Sequence, residues 1–138
     1  MDSLKRFIDI QETGYDAALR EIKAGRKRSH WIWYIFPQIS GLGYSPNALY
    51  YGINGFDEAV AYLSHPVLGG RLREITRAVL DHSDRDIVSI MGSNIDAVKF
   101  RSSMTLFDAV SPGDIFSQAL ATFFDGKRDE LTLKLLAQ

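Results

Sequence analysis

Cysteine is absent from this chain of 138 residues. That excludes disulfides, thiolate nucleophiles and every zinc site built on sulfur. Histidine is scarce. His30, His65 and His82 lie far apart and form no H-x-x-x-H pair, so no metal site is expected. No phosphate loop of the G-x-x-x-x-G-K-[ST] kind is present, and no G-x-S-x-G nucleophile elbow. No cofactor is expected from motif either. An excess of one charge is also missing: 16 basic residues face 17 acidic ones, for a formal net charge of -1. Nothing in that balance suits wrapping nucleic acid, which is not an expected partner. No apolar run approaches the ~20 residues that span a bilayer. The opening Met1 to Arg6 begins no run of signal-peptide length. These gaps lead to the expectation of a cytoplasmic protein without a membrane partner.

What the chain does have is helical periodicity with helix punctuation. Ser3 is expected to cap a first helix carrying Leu4, Phe7 and Ile8, interrupted at Gly14. A second helix runs from about Tyr15 to Ala24 and stops at Gly25. Ser29 to Gln38 reads as a short buried helix capped by Ser29, and Gly41-Leu42-Gly43 as a loop. Ser45-Pro46 is an N-cap with proline at the first helical position. Phe56 to Leu63 follows, and His65-Pro66 restarts the chain. Gly69-Gly70 mark either a delayed start or a close helix crossing. Further helices are expected at Asp86 to Met91, from Ser93 or Asn94 to about Val110, at Ile115 to Phe124 and at Asp129 to Leu136. No strand alternation is sustained. The expectation is all-α: one compact orthogonal domain over residues 1–138 with about six to eight helices. Leu19, Ile35, Phe36, Leu63, Leu72, Leu106 and Phe107 are its expected core.

Three segments bear on chemistry. In the first, Lys27, Arg28, Ser29 and His30 run into Trp31, Trp33 and Gln38. Lysine and arginine bind phosphate, and indoles stack on bases or sugars. Ser29 and free amides at a helix start add anion capacity. The competing account buries Trp31 to Phe36 as core and leaves Lys27 and Arg28 solvated. In the second, Asp96, Lys99 and Ser103 make a polar stripe at i, i+3, i+7 on an otherwise apolar helix, with Arg101 and Ser102 beside it. Such a stripe lines a wet cleft, or it is satisfied by an Asp96–Lys99 ion pair and hydroxyls bonded to the backbone. The third segment, Gln38 to Ser45, reads as an ordinary loop.

At these motifs the sequence resembles a family. The marks include Gly25-x-Lys27-Arg28-Ser29-His30-Trp31-x-Trp33-Tyr34-x-Phe36-Pro37-Gln38, Gly41-Leu42-Gly43-x-Ser45, and Asp96-x-x-Lys99-x-Arg101-Ser102-Ser103-Met104-Thr105-Leu106-Phe107. They are similar to the small bacterial domain-of-unknown-function family often auto-labelled "calpastatin". The resemblance spans essentially the whole chain and implies one mainly helical domain. It implies no activity. The calpastatin label does not suit a chain that is 46% hydrophobic, because calpastatin inhibitory regions are disordered.

The functional expectation is a cleft between the Arg28–Gln38 and Asp96–Ser103 segments, binding and in one version hydrolysing a small phosphorylated or nucleotide-like ligand. Lys27, Arg28, Lys99 and Arg101 would hold anionic groups. Trp31 or Trp33 would stack, and His30 or Asp96 would carry protons. The alternative is a non-catalytic protein-interaction module. A concave site uniting the indoles with Lys99 favours the first, and a flat apolar patch elsewhere favours the second.

Overall fold

A computed structural model describes residues 3–138; Met1 and Asp2 lie outside it. Its helices are α1 (Lys5–Lys23), α2 (Ile32–Ile35), α3 (Pro46–Tyr51), α4 (Gly55–Ser64), α5 (Pro66–Leu80), α6 (Ile87–Met91), α7 (Asn94–Val110), α8 (Ile115–Phe124) and α9 (Glu130–Leu136). Among the described residues there is no strand, only an isolated parallel bridge between Ile39 and Ile53. The all-α expectation holds, with nine helices among the described residues rather than six to eight. No helix among them is long and apolar enough to cross a membrane.

Helix α1 corrects two expectations. It runs unbroken through Gly14, burying Phe7, Gln11, Tyr15, Ala18 and Ile22 at spacings of three and four. A Cβ on Gly14 would lie 3.1 Å from the Tyr34 ring, so this glycine clears space for an aromatic. Ser3 does not cap the helix; it donates to Glu58. The helix ends at Gly25, whose φ of 98° suits a residue without a side chain.

Helices α4 and α5 turn on one residue. His65 closes α4, and its Nδ1 accepts from the Val67 and Leu68 amides at the start of α5. The corner is tight: a Cβ on Gly69 would lie 2.1 Å from the Leu63 carbonyl oxygen. Gly69 is therefore the site of a close crossing, and α5 starts without delay at Pro66.

Helix α7 runs through the centre, with its C-terminal half buried from Ser102 to Asp108. It packs on α8, α6, α4, α9 and α2. Phe36 and Phe100 meet edge to face at 4.9 Å, as do Phe7 and Tyr62 at 5.1 Å, the offset that ring quadrupoles favour. Of the expected core, Ile35, Phe36, Leu63, Leu72, Leu106 and Phe107 are buried, whereas Leu19 is only partly buried against the core's edge.

Residues 38–53 form a loop closed at its neck. The Ser40 amide donates to the Ile53 carbonyl and the Ile53 amide to the Gln38 carbonyl, each at 2.8 Å. Arg6 pins the far end through the Tyr50 and Gly52 carbonyls. Helix α3 rides on this loop, capped by Ser45 and buried nowhere.

Candidate ligand cleft

Between that loop and the N-terminal half of α7 lies a cleft of about 510 Å³, inside the roughly 300–1,000 Å³ range of small-molecule sites. The loop supplies Ile39, Leu42, Tyr44, Ala48 and Tyr51 to one wall. The opposite wall carries Ile95, Val98, Lys99 and Ser102, which share a face of α7, with Asp129 and Leu131 from the start of α9. Trp33 and Gln38 also border the cavity. Apolar side chains dominate, and those at the mouth are open to water: Tyr44 is 84% exposed and Ile95 67%.

Among the described residues the only charged ones in the lining are Lys99 and Asp129. The Lys99 ammonium lies 4.7 Å from the centre of the Trp33 ring and has no carboxylate partner among the described residues. Asp129 is partly committed. It caps α9 by accepting from the Thr132 amide at 3.2 Å, and its Oδ2 also accepts from Thr132 Oγ1 and from Ser102 Oγ. The single Ser102 hydroxyl proton is shared between Asp129 Oδ2 and the Val98 carbonyl, so it is not free for a ligand. Among the described residues no three acidic or imidazole groups come together as metal ligands do.

The structure brings Trp33, Gln38, Lys99 and Ser102 together at this cleft. The other residues singled out from sequence lie elsewhere. Lys27 is buried and pairs with Asp96 at 2.8 Å, so in place of the alternative Asp96–Lys99 pair there is one across segments. Lys27 also donates to the Ser29 carbonyl and lies over Trp31. Trp31 is core, and its indole N–H donates to Glu21 at 2.9 Å. Ser29 does not cap α2: its amide and hydroxyl, with the Arg28 amide, all donate to Glu21. The Arg28 and His30 side chains are exposed. Arg101 holds the Lys127 and Arg128 carbonyls, fixing the turn before α9. Ser103 is fully buried with no partner for its hydroxyl among the described residues.

Glu21 is the hub that sequence reasoning missed. Burial pushes its carboxyl up, but hydrogen bonds from Ser29, Arg28 and Trp31 outweigh that and bring it down to about 2. It straps residues 28–31 to α1 and thereby sets where α2 presents Trp33. Tyr44, Tyr51, Ile95, Val98, Asp129 and Leu131 were missed as cleft residues too. Tyr44 had a signal, an aromatic directly after two loop glycines. Asp129 had one as the cap of a last helix. Leu131 had none.

The family model described as "Protein of unknown function (DUF1810)" matches residues 1–136. Among solved structures, the chain is similar to the conserved hypothetical protein Rv1873 from Mycobacterium tuberculosis. The two are 45% identical with a TM-score of 0.93, over 98% of this chain and 96% of that one. Neither match bears the calpastatin label. No curated protein matches the chain.

Proposed function

The chain belongs to the DUF1810 family of proteins of unknown function, and we propose that it binds a small, singly phosphorylated or nucleotide-like ligand in the cleft beside α7. The observation that carries this reading is Lys99. It is an ammonium at an apolar cavity, set on an indole and in no ion pair among the described residues. A cation so placed offers one anionic group a charge-assisted bond in partly dry surroundings. Tyr44 has a largely exposed ring at the mouth and suits a flat heterocycle. Gln38 and Asn94 add amides that both donate and accept. Binding is favoured over hydrolysis. The two groups expected to carry protons lie off the cleft, His30 exposed and Asp96 tied to Lys27, and a general base must reach the proton it moves.

Thermal melts test the reading. The probes are the four common ribonucleoside monophosphates, on the wild type and on Lys99→Met. A ligand present at a hundred times its Kd stabilises the native state by about 2.7 kcal/mol. A rise in the wild-type Tm that Lys99→Met abolishes is expected. No rise with any probe, or equal rises in both proteins, refutes it.

A non-catalytic interaction module is the second reading, favoured by the apolar mouth. Ile95, Val98, Leu131 and Tyr44 are all exposed there, as anchors for a partner's side chain would be. The same melts separate the two, because a groove for a protein chain shows no shift with mononucleotides.

A further inference from the structure

Asp129 caps α9 and also borders the cleft. Its Oδ2 is saturated by the Thr132 amide, Thr132 Oγ1 and Ser102 Oγ. Its Oδ1 accepts nothing among the described residues and is not sealed from solvent, and the residue borders the cleft. Asp86, which caps α6, does not border this cleft. Ser102 fixes the position of Asp129 relative to Lys99. It stands three residues beyond Lys99 on α7, so their Cβ atoms lie about 5–6 Å apart, and its Oγ is 3.2 Å from the carboxylate. One cation and one carboxylate with an unbonded oxygen therefore border the same cavity.

Resting on the cleft reading above, we infer that Asp129 Oδ1 accepts a hydrogen bond from a ligand hydroxyl, and that the ligand class is a ribonucleoside monophosphate rather than a polyphosphate. The cavity offers one partner to an anionic group and another to a donor. A pentose phosphate carries both on one ring. A ligand ammonium is the other donor to consider, but it would share the cavity with the like charge of Lys99. A neutral hydroxyl meets no such repulsion. Further phosphates find no second cation among the described lining residues, and they meet the Asp129 charge.

Calorimetric titration tests this with ribonucleoside monophosphates, their counterparts lacking both ring hydroxyls, and the matching triphosphates. The proteins are the wild type, Asp129→Ser and Asp129→Asn. Serine and asparagine both keep an N-cap for α9. On the wild type, loss of the hydroxyls is expected to weaken binding by on the order of tenfold, the effect of one hydrogen bond to a charged group. Triphosphates bind more weakly than monophosphates. Asp129→Ser weakens the hydroxyl-bearing probes by that same factor and leaves the others unchanged, with Asp129→Asn intermediate. Equal wild-type affinity with and without hydroxyls overturns the inference and leaves the cleft reading standing. Equal weakening of both probe sets by Asp129→Ser also overturns it, since that marks a purely structural role. Failure of the wild type to bind any monophosphate overturns both.

Discussion

Cutting Asp96 back to alanine leaves the Lys27 ammonium without the carboxylate that stands 2.8 Å from it. The Lys27 side chain is 5% exposed and cannot turn to water, whereas that of Asp96 is 18% exposed. Removing one partner of a buried pair costs about 3–5 kcal/mol. Lys27 keeps its bond to the Ser29 carbonyl and its place over Trp31, so the expected loss lies at the low end, about 3 kcal/mol. Lys27→Met removes the charge that needs a partner and leaves the more accessible one, for a loss of about 1–3 kcal/mol. Lys99→Met gives up a cation–π contact of about 0.5–1 kcal/mol. It gains a sulfur–aromatic contact of about 0.3–1.5 kcal/mol in return, for a net change near zero. Urea melts followed by far-UV circular dichroism rank the three, and dichroism avoids the signal of the two perturbed indoles. The expected order of destabilisation is Asp96→Ala, then Lys27→Met, then Lys99→Met. The double variant Lys27→Met/Asp96→Ala should lose less than the sum of its parts, as coupled partners do. If Lys99→Met is as damaging as Asp96→Ala, Lys99 is a buried structural charge, and the argument for a cation held ready for a ligand collapses.

Three further outcomes follow from the packing and the hydrogen bonds. Leu106 is fully buried on α7, so Leu106→Ala should cost about 2–5 kcal/mol in the same melts; a loss within error would place α7 at the periphery. The adjacent glycines of α5 should respond with opposite signs. Gly69→Ala forces a Cβ onto the Leu63 carbonyl and should cost about 1–3 kcal/mol or more. Gly70 has nothing within 4 Å of the built Cβ, so Gly70→Ala should add roughly 0.5–1 kcal/mol; losses at both would mean the corner is misplaced. The Glu21 carboxyl is held at about 2 in the fold against 4.5 for the free group. Its contribution is therefore complete above pH 4.5 and fades as pH falls from there toward 2. Stability measured down that range should drop in the wild type more steeply than in Glu21→Gln, and parallel curves would show that Glu21 does not carry the strap.

The helices were legible because their signals are local. Ser45-Pro46, His65-Pro66, Gly92-Ser93 and Asp129 open or close elements as the sequence predicts. Glycine was legible only as a residue without a side chain, and the reason for its presence lies in another element. Gly14 makes room for Tyr34, Gly69 for a carbonyl of α4, and Gly70 for nothing. Local pattern reads all three as breaks or doubts. Ser29 misled for a related reason. A serine before an apolar run is a cap by pattern, yet a glutamate eight residues earlier on α1 offers its hydroxyl and amide a charged acceptor. A charge-assisted bond is roughly twice as strong as a neutral one and takes precedence.

The site was half legible, and the boundary falls between its two lysines. Spacing on one helix puts Asp96 within reach of Lys99, and nothing local prefers a distant lysine. Burial supplies the preference. An ammonium with almost no exposed surface must find an anion or lose its charge, whereas one at a wet cleft has water. Lys27 lies against the C-terminal end of α6, its amide on the Ile90 carbonyl and its side chain enclosed. It therefore takes the carboxylate, and Lys99 is left with the indole face. The segment richest in cations by sequence thus spends Lys27 on the fold, and the polar stripe keeps a cation that forms no ion pair among the described residues. Tyr44 follows the same logic from the apolar side. The buried indole of Trp31 is occupied by Glu21 and Lys27, so the ring open to a ligand is the one on the loop that no core position claimed.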